Sequence, residues 1–255
     1  SAMATTLGLG ADGADVERLV AARSASVASV LEQLRCSGSV PCLAGWRGEL
    51  LGVRPTFHSA PRLLVERAAG PLFGIYSYGV FANGYVRGAD GHPSHIWLGR
   101  RSMSKQTWPG LLDCIAAGGV AAGEVPAAAM IKECAEEAAI PSTHAAGLVP
   151  VGGVSYTGLS ECEWGLKQDF LYCFDLALGP EFEPRAADGE MDAFELHEVG
   201  EVLRMLADTS QPIFKPNVGV VLCDFAVRHG LVHPDDDGYL ELVCALRSVA
   251  RHELS

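Results

Sequence analysis

Gly118-Gly119-Val120-Ala121-Ala122-Gly123-Glu124-Val125-Pro126-Ala127-Ala128-Ala129-Met130-Ile131-Lys132-Glu133-Cys134-Ala135-Glu136-Glu137-Ala138-Ala139-Ile140 is the stretch on which the reading of this chain turns. Pro126 suits the first turn of a helix, where a missing N–H costs nothing, and Pro141 stops the helix after Ala138. Within Pro126–Ala138, Glu133, Glu136 and Glu137 stand at i, i+3 and i+4 and share one face. Ala127, Ile131, Cys134 and Ala138 make a separate apolar stripe that the helix is expected to bury. Three carboxylates that close repel one another, which raises their pKa values and weakens the helix. A hard divalent cation removes the conflict, since it takes oxygen ligands and keeps positions for water and phosphate. The glycine pair ahead of the helix lets the backbone approach such a site closely. An acidic solvated face is the bland alternative, and the helix by itself does not decide between them.

The upstream spacing decides it. Gly118 to Ile140 fits G-x5-E-x7-[R/K]-E-U-x-E-E-x-x-U, where U is aliphatic or similar, and so resembles the Nudix box. The resemblance runs from about Leu43 to Leu246. It takes in Arg100-Arg101, Lys105, Trp108-Pro109-Gly110-Leu111-Leu112-Asp113, Val154-Ser155-Tyr156-Thr157, Asp188-Gly189-Glu190 and Phe214-Lys215-Pro216-Asn217. It is similar to the Nudix subfamily related to thiamine-pyrophosphokinase-associated domains, which carries a small extra N-terminal module. That resemblance implies an α+β fold, a Nudix-type α/β/α sandwich with a mixed sheet, and Mg2+ or Mn2+ as cofactor. It also implies hydrolysis of thiamine diphosphate or its oxidised derivatives to the monophosphate plus phosphate. A pyrophosphatase for nucleoside diphosphate derivatives and a non-catalytic ligand-binding module are the competing readings.

Site roles follow from the resemblance position by position. Glu136 and Glu137 fall on metal-binding glutamates, Glu133 on one that binds metal or acts as the base, and Glu124 on a structural one. The carbonyl ligand falls on Ala117 or Gly118, and Glu190 is the choice for a further ligand or base. Two residues depart from the pattern. Lys132 replaces the arginine beside Glu133 and loses its bidentate fork, and Ala139 replaces a glycine where a left-handed residue is expected. Arg100, Arg101 and Lys105 are the densest basic cluster and are expected to clamp phosphate oxygens. Trp108 beside them either stacks on a substrate ring or covers the core.

Along the rest of the chain, residues 1–14 read as a leader with a tag scar, 15–72 as an α+β accessory module and 73–255 as the catalytic domain. The module begins with a helix through Val16, Leu19, Val27, Leu31 and Leu34, followed by short strands at Leu43–Trp46 and Leu50–Val53. Paired strands are expected at Tyr78–Arg87 and His95–Gly99, with others at Val149–Tyr156, Asp169–Leu176 and Ala193–His197. Helices at Val199–Leu206, Val218–His229 and Tyr239–Arg251 close the chain. Composition excludes several partners. With 19 Lys+Arg against 31 Asp+Glu the net charge is −12, which argues against nucleic acid or an anionic membrane as the main partner, while a small organic diphosphate is the partner the resemblance implies. No apolar run is long enough to span a bilayer, a homodimer is compatible with the sequence, and eight cysteines without a CxxC pair read as reduced thiols of a cytoplasmic protein. His92 and His95, with Pro93 between them and no cysteine pair near, read as turn surface rather than a zinc site.

Overall fold

A computed structural model describes residues 13–55, 59–159 and 164–247. They divide into two compact units. One comprises the described residues up to Tyr76 together with those of 158–167, and the other Ser77–Thr157 and the described residues from Gln168 onward.

The first unit is small and α+β. Helix α1 (Gly13–Ser37) buries Leu31 alone, against Leu43 and Ala69, with Val27 and Leu34 packed at the margin. Strands β1 (Leu50–Val53) and β2 (Leu63–Glu66) pair antiparallel, Leu51 opposite Val65. The buried Glu66 carboxylate accepts the Arg47, Gly48 and Ala68 N–H groups and so ties the turns on either side together. A strand expected at Leu43–Trp46 is instead a 3-10 turn over Pro41–Gly45. Pro41 opens that turn, and its apolar residue Leu43 is wholly buried against the helix rather than paired in a sheet. A short helix α2 (Gly70–Phe73) leads to the second unit.

The second unit is built on a seven-stranded sheet among the described residues. Its strands are β3 (Tyr76–Arg87), β4 (Pro93–Arg101), β5 (Leu112–Cys114), β6 (Ala116–Gly119), β7 (Val149–Leu159), β8 (Leu166–Leu178) and β9 (Met191–Glu198). The spatial order is β5-β4-β3-β8-β7, with β6 on β3 and β9 on β4. Strands β3 and β4 pair from Gly84/Trp97 toward their turn. Beyond that point they part, and β5 and β6 fill the opening: Leu98 faces Cys114 on one side, Ala82 faces Ala116 on the other. Every register described in this sheet is antiparallel, and a parallel bridge joins Leu112 to Phe214.

Alternation along β3 sends side chains to two cores. Val80 and Ala82 join Met130, Cys134 and Ala138 of helix α3 (Pro126–Ala138). Phe81 and Tyr85 join Val202 of α5 (Val199–Ala207), Val218, Leu222 and Phe225 of α6 (Pro216–Arg228) and Leu246 of α7 (Tyr239–Leu246). A one-turn helix α4 (Ser142–Ala145) sits between α3 and β7. Helices thus cover both faces of a mixed sheet, the α+β sandwich expected from the sequence. The closing helix was expected to run to Arg251; it ends at Leu246, and residues 248–251 lie outside the described ones.

Two features set stability. Ala139 ends α3 at φ +50°, and its N–H and that of Ile140 both reach the Cys134 carbonyl. The alanine therefore takes the left-handed cap that glycine would adopt freely. Ala139→Gly should stabilise the protein by about 0.5–1 kcal/mol, read as a higher urea midpoint with an unchanged slope. Burial would push the Asp175 carboxyl up, but His229 at 2.8 Å, Arg228 at 2.6 and 3.0 Å and Asn83 at 3.1 Å outweigh it and hold it below the usual range. Its contribution is present above the unfolded value near ~3.9 and is lost as pH falls through the lower folded value. Melting temperatures between about pH 5 and 3 should fall less steeply in Asp175→Asn than in the wild type, from a lower starting point.

Candidate active site

Helix α3 lies against β6, and its acids occupy three different environments. Its buried residues are Ala129, Met130, Cys134, Glu137 and Ala138. The expected apolar stripe is therefore corrected: Ala127 is exposed and Ile131 is 46% exposed, while the acid Glu137 takes a place on the buried line at 2%. Cys134 and Ala138 of that stripe are buried as expected, with Ala129 and Met130 beside them. Glu137 Oε2 accepts the Ala117 N–H of β6 at 2.8 Å. Glu133, mostly covered, lies on the backbone of Gly118: a Cβ there would stand 2.3 Å from the Glu133 Cδ and Oε1 atoms. Only glycine admits that contact. Glu136 is half exposed at 51%, with Lys132 Nζ 3.5 Å from its Oε2 and 3.9 Å from Glu133 Oε1. Glu124 Oε2 accepts the Ala121 N–H at 3.1 Å and closes the loop ahead of the helix.

Burial pushes the Glu137 carboxyl well up, the charge of Asp113 adds to this, and the Ala117 N–H offsets only part. Burial also pushes Glu133 up; Lys132 opposes, while Glu136, Glu190 and Glu124 reinforce. Such carboxylates fit a hard divalent cation, whose charge would reverse both shifts. Among the described residues no three His, Cys, Asp or Glu groups are gathered into a ready-made cage, and Glu136 stands apart with Lys132.

The three basic residues do not form the common clamp expected of them. Arg101 is buried: Nη1 donates to Asp113 Oδ2 at 2.9 Å, Nε to the Trp108 carbonyl at 3.0 Å and Nη2 to the Thr107 carbonyl at 2.8 Å. Arg100 forks onto Glu195 at 2.5 and 3.0 Å and holds its carboxyl below the usual range. Lys105 Nζ donates to Glu190 Oε2 at 2.5 Å, so these two expected site residues meet each other. Asp113 and Lys215 were not singled out from the sequence. Lys215 Nζ lies 3.0 Å from Asp113 Oδ2 and 5.3 Å from the centre of the Phe81 ring. A signal was present: an aspartate between Leu112 and Cys114 in an apolar strand needs cations close by.

Residues 78–218 match the family described as NUDIX domain, more than half of the chain. The chain belongs to the Nudix family. Residues 16–77 match a second family, described as a domain of unknown function, DUF4743. Nudix hydrolase 20, chloroplastic, of Arabidopsis thaliana is 41% identical over 226 residues, covering 89% of this chain and 58% of that protein. Nudix hydrolase 24, chloroplastic, of the same plant is 39% identical over 226 residues, covering 89% of this chain and 60% of that protein. An uncharacterized protein of Saccharomyces cerevisiae is 34% identical over 232 residues, covering 87% of this chain and 66% of that one. This Nudix chain thus spans about three fifths of the length of the two plant relatives.

The buried acid of the Nudix helix has a measurable consequence. Mg2+ should raise the melting temperature of the wild type. Glu137→Gln should melt no lower than the metal-free wild type, because it removes a poorly solvated charge, and should lose most of the Mg2+ shift. Scanning fluorimetry with EDTA and with Mg2+ reads both.

Proposed function

We propose that this chain hydrolyses a diphosphate linkage in a small organic diphosphate, with a divalent cation held by Glu133, Glu136, Glu137 and the Gly118 carbonyl. The observation that carries the reading is that two covered acids of α3, Glu133 and Glu137, both pushed toward protonation, rest side by side on the backbone of strand β6. All four glutamates of the motif are present, which favours an enzyme over a binding module. Bound Mg2+ or Mn2+ would offset charge on the phosphate oxygens and ease deprotonation of water. Glu133 accepts the proton of the attacking water. Lys132, within 4 Å of both Glu133 and Glu136, offsets part of their charge. Glu190 is the further acid of the proposal, since its charge acts on Glu133 and Glu137, and Lys105, bonded to it, is the phosphate contact. Water adds to one phosphorus, the P–O bond of the anhydride breaks, and the products are the organic monophosphate and phosphate.

Thiamine diphosphate and its oxidised derivatives are the first substrates proposed, on the whole-chain resemblance; nucleoside diphosphate derivatives are the alternative. A reducing compartment such as the cytosol is part of the reading, because the eight cysteines of the sequence include no CxxC pair. The two plant relatives are named chloroplastic. Phosphate release across a panel of both classes, with Mg2+ and with EDTA, tests the proposal. Glu133→Gln should lower the rate by about 10²–10⁴ and not respond to added metal. Glu137→Gln should regain part of its rate in excess Mg2+. Equal curves for wild type and both variants would overturn the reading.

A further inference from the structure

Trp108 has a left-handed backbone at φ +54°, and with Ala139 it is one of two described non-glycine residues at positive φ. For a bulky side chain that conformation costs about 1–2 kcal/mol and persists only where its surroundings impose it. Glycine would adopt it freely, as Gly110 does two residues later at φ +73°. Trp108 belongs to none of the three hydrophobic clusters among the described residues and keeps part of its surface open. Arg101 imposes the conformation. Its backbone closes the base of the loop through Gly110 and Leu111, and its guanidinium enters the loop to take the Thr107 and Trp108 carbonyls. The remaining arm of the fork is fixed on Asp113, four residues before the Ala117 N–H that holds Glu137. Lys105 of the same loop is bonded to Glu190. A strained residue outside those clusters, held by a buried cation whose other arm lies on Asp113, marks a residue kept for a ligand.

We propose that Trp108 is the specificity residue for the organic group of the diphosphate, which carries a flat aromatic ring, and that Arg101 is its positioning residue rather than a phosphate contact. The inference rests on the diphosphate-hydrolase reading. Stacking on an indole holds a ring in both ground and transition states, so the effect belongs in KM. A lysine at 101 keeps the charge beside Asp113 but lacks the planar fork that takes two carbonyls at once.

Kinetics on thiamine diphosphate and ADP, which carry rings, and on isopentenyl diphosphate, which does not, test it. Trp108→Gly should raise KM for a hydrolysed ring-bearing compound about tenfold, change isopentenyl diphosphate less than twofold, and melt no lower than the wild type. Arg101→Lys should do the same to KM, and the double variant should be no worse than either single one. Equal losses on all compounds, an unchanged KM, additive effects, or a wild type that prefers the ring-free compound would overturn the proposal. If the wild type hydrolyses none of them, nor any oxidised thiamine or nucleoside diphosphate derivative, the hydrolase reading fails by itself. Quenching of tryptophan emission by thiamine diphosphate or ADP in Mg2+ then decides: its loss in Trp108→Gly sustains the proposal, and its absence in the wild type or persistence in the variant overturns it.

Discussion

Asp113 lies in the sheet with almost no access to water, and two cations close on the same oxygen: Arg101 at 2.9 Å and Lys215 at 3.0 Å. A buried carboxylate left with one partner fewer costs about 3–5 kcal/mol, so the three charges must assemble together or not at all. Each comes from a different place: the end of β4, the middle of β5 and the residue before α6. Backbone bonds follow the same path, Leu112 N to the Ile213 carbonyl and Lys215 N to the Leu112 carbonyl. This ionic knot therefore fixes where β5 enters the opening between β3 and β4. Through β5 it fixes the strand against which the acids of α3 rest.

The acids show how one helix can hold like charges without unwinding. Glu137 is anchored by a backbone N–H, Glu133 rests on glycine, and Glu136 is turned to a lysine in solvent. Three environments replace three-way repulsion. The division also ranks the groups chemically, since burial drives the two covered carboxyls toward protonation.

Much of this was legible in the sequence where a local rule operates alone. Pro126 and Pro141 bound α3, and alternation exposed β3, β4 and β9, because each signal is short-range. The inserted strands β5 and β6 carry no alternation in Ala116-Ala117-Gly118-Gly119, so nothing local announces a pairing with β3. Leu43 was misplaced for a similar reason: an apolar residue after Pro41 fits a strand or a buried turn equally well until the helix it packs on is known. The basic cluster misled most. Arg100, Arg101 and Lys105 are neighbours in sequence, yet each is claimed by a different acid, at Glu195, Asp113 and Glu190. Adjacency of like charges in a sequence says little about a shared surface when the opposing acids come from distant strands.

The thinness of β6 has a consequence for how the site keeps its dimensions. Side chains ordinarily set the gap between a helix and a sheet, and their rotamer motion blurs it. Here alanine and glycine remove that spacer, so the Glu133 carboxyl touches main chain directly and Glu137 is bonded to it. The distance from the acids to the strand is then ruled by peptide geometry, the stiffest gauge a protein possesses. Acids mounted on such a ruler keep their spacing from the strand.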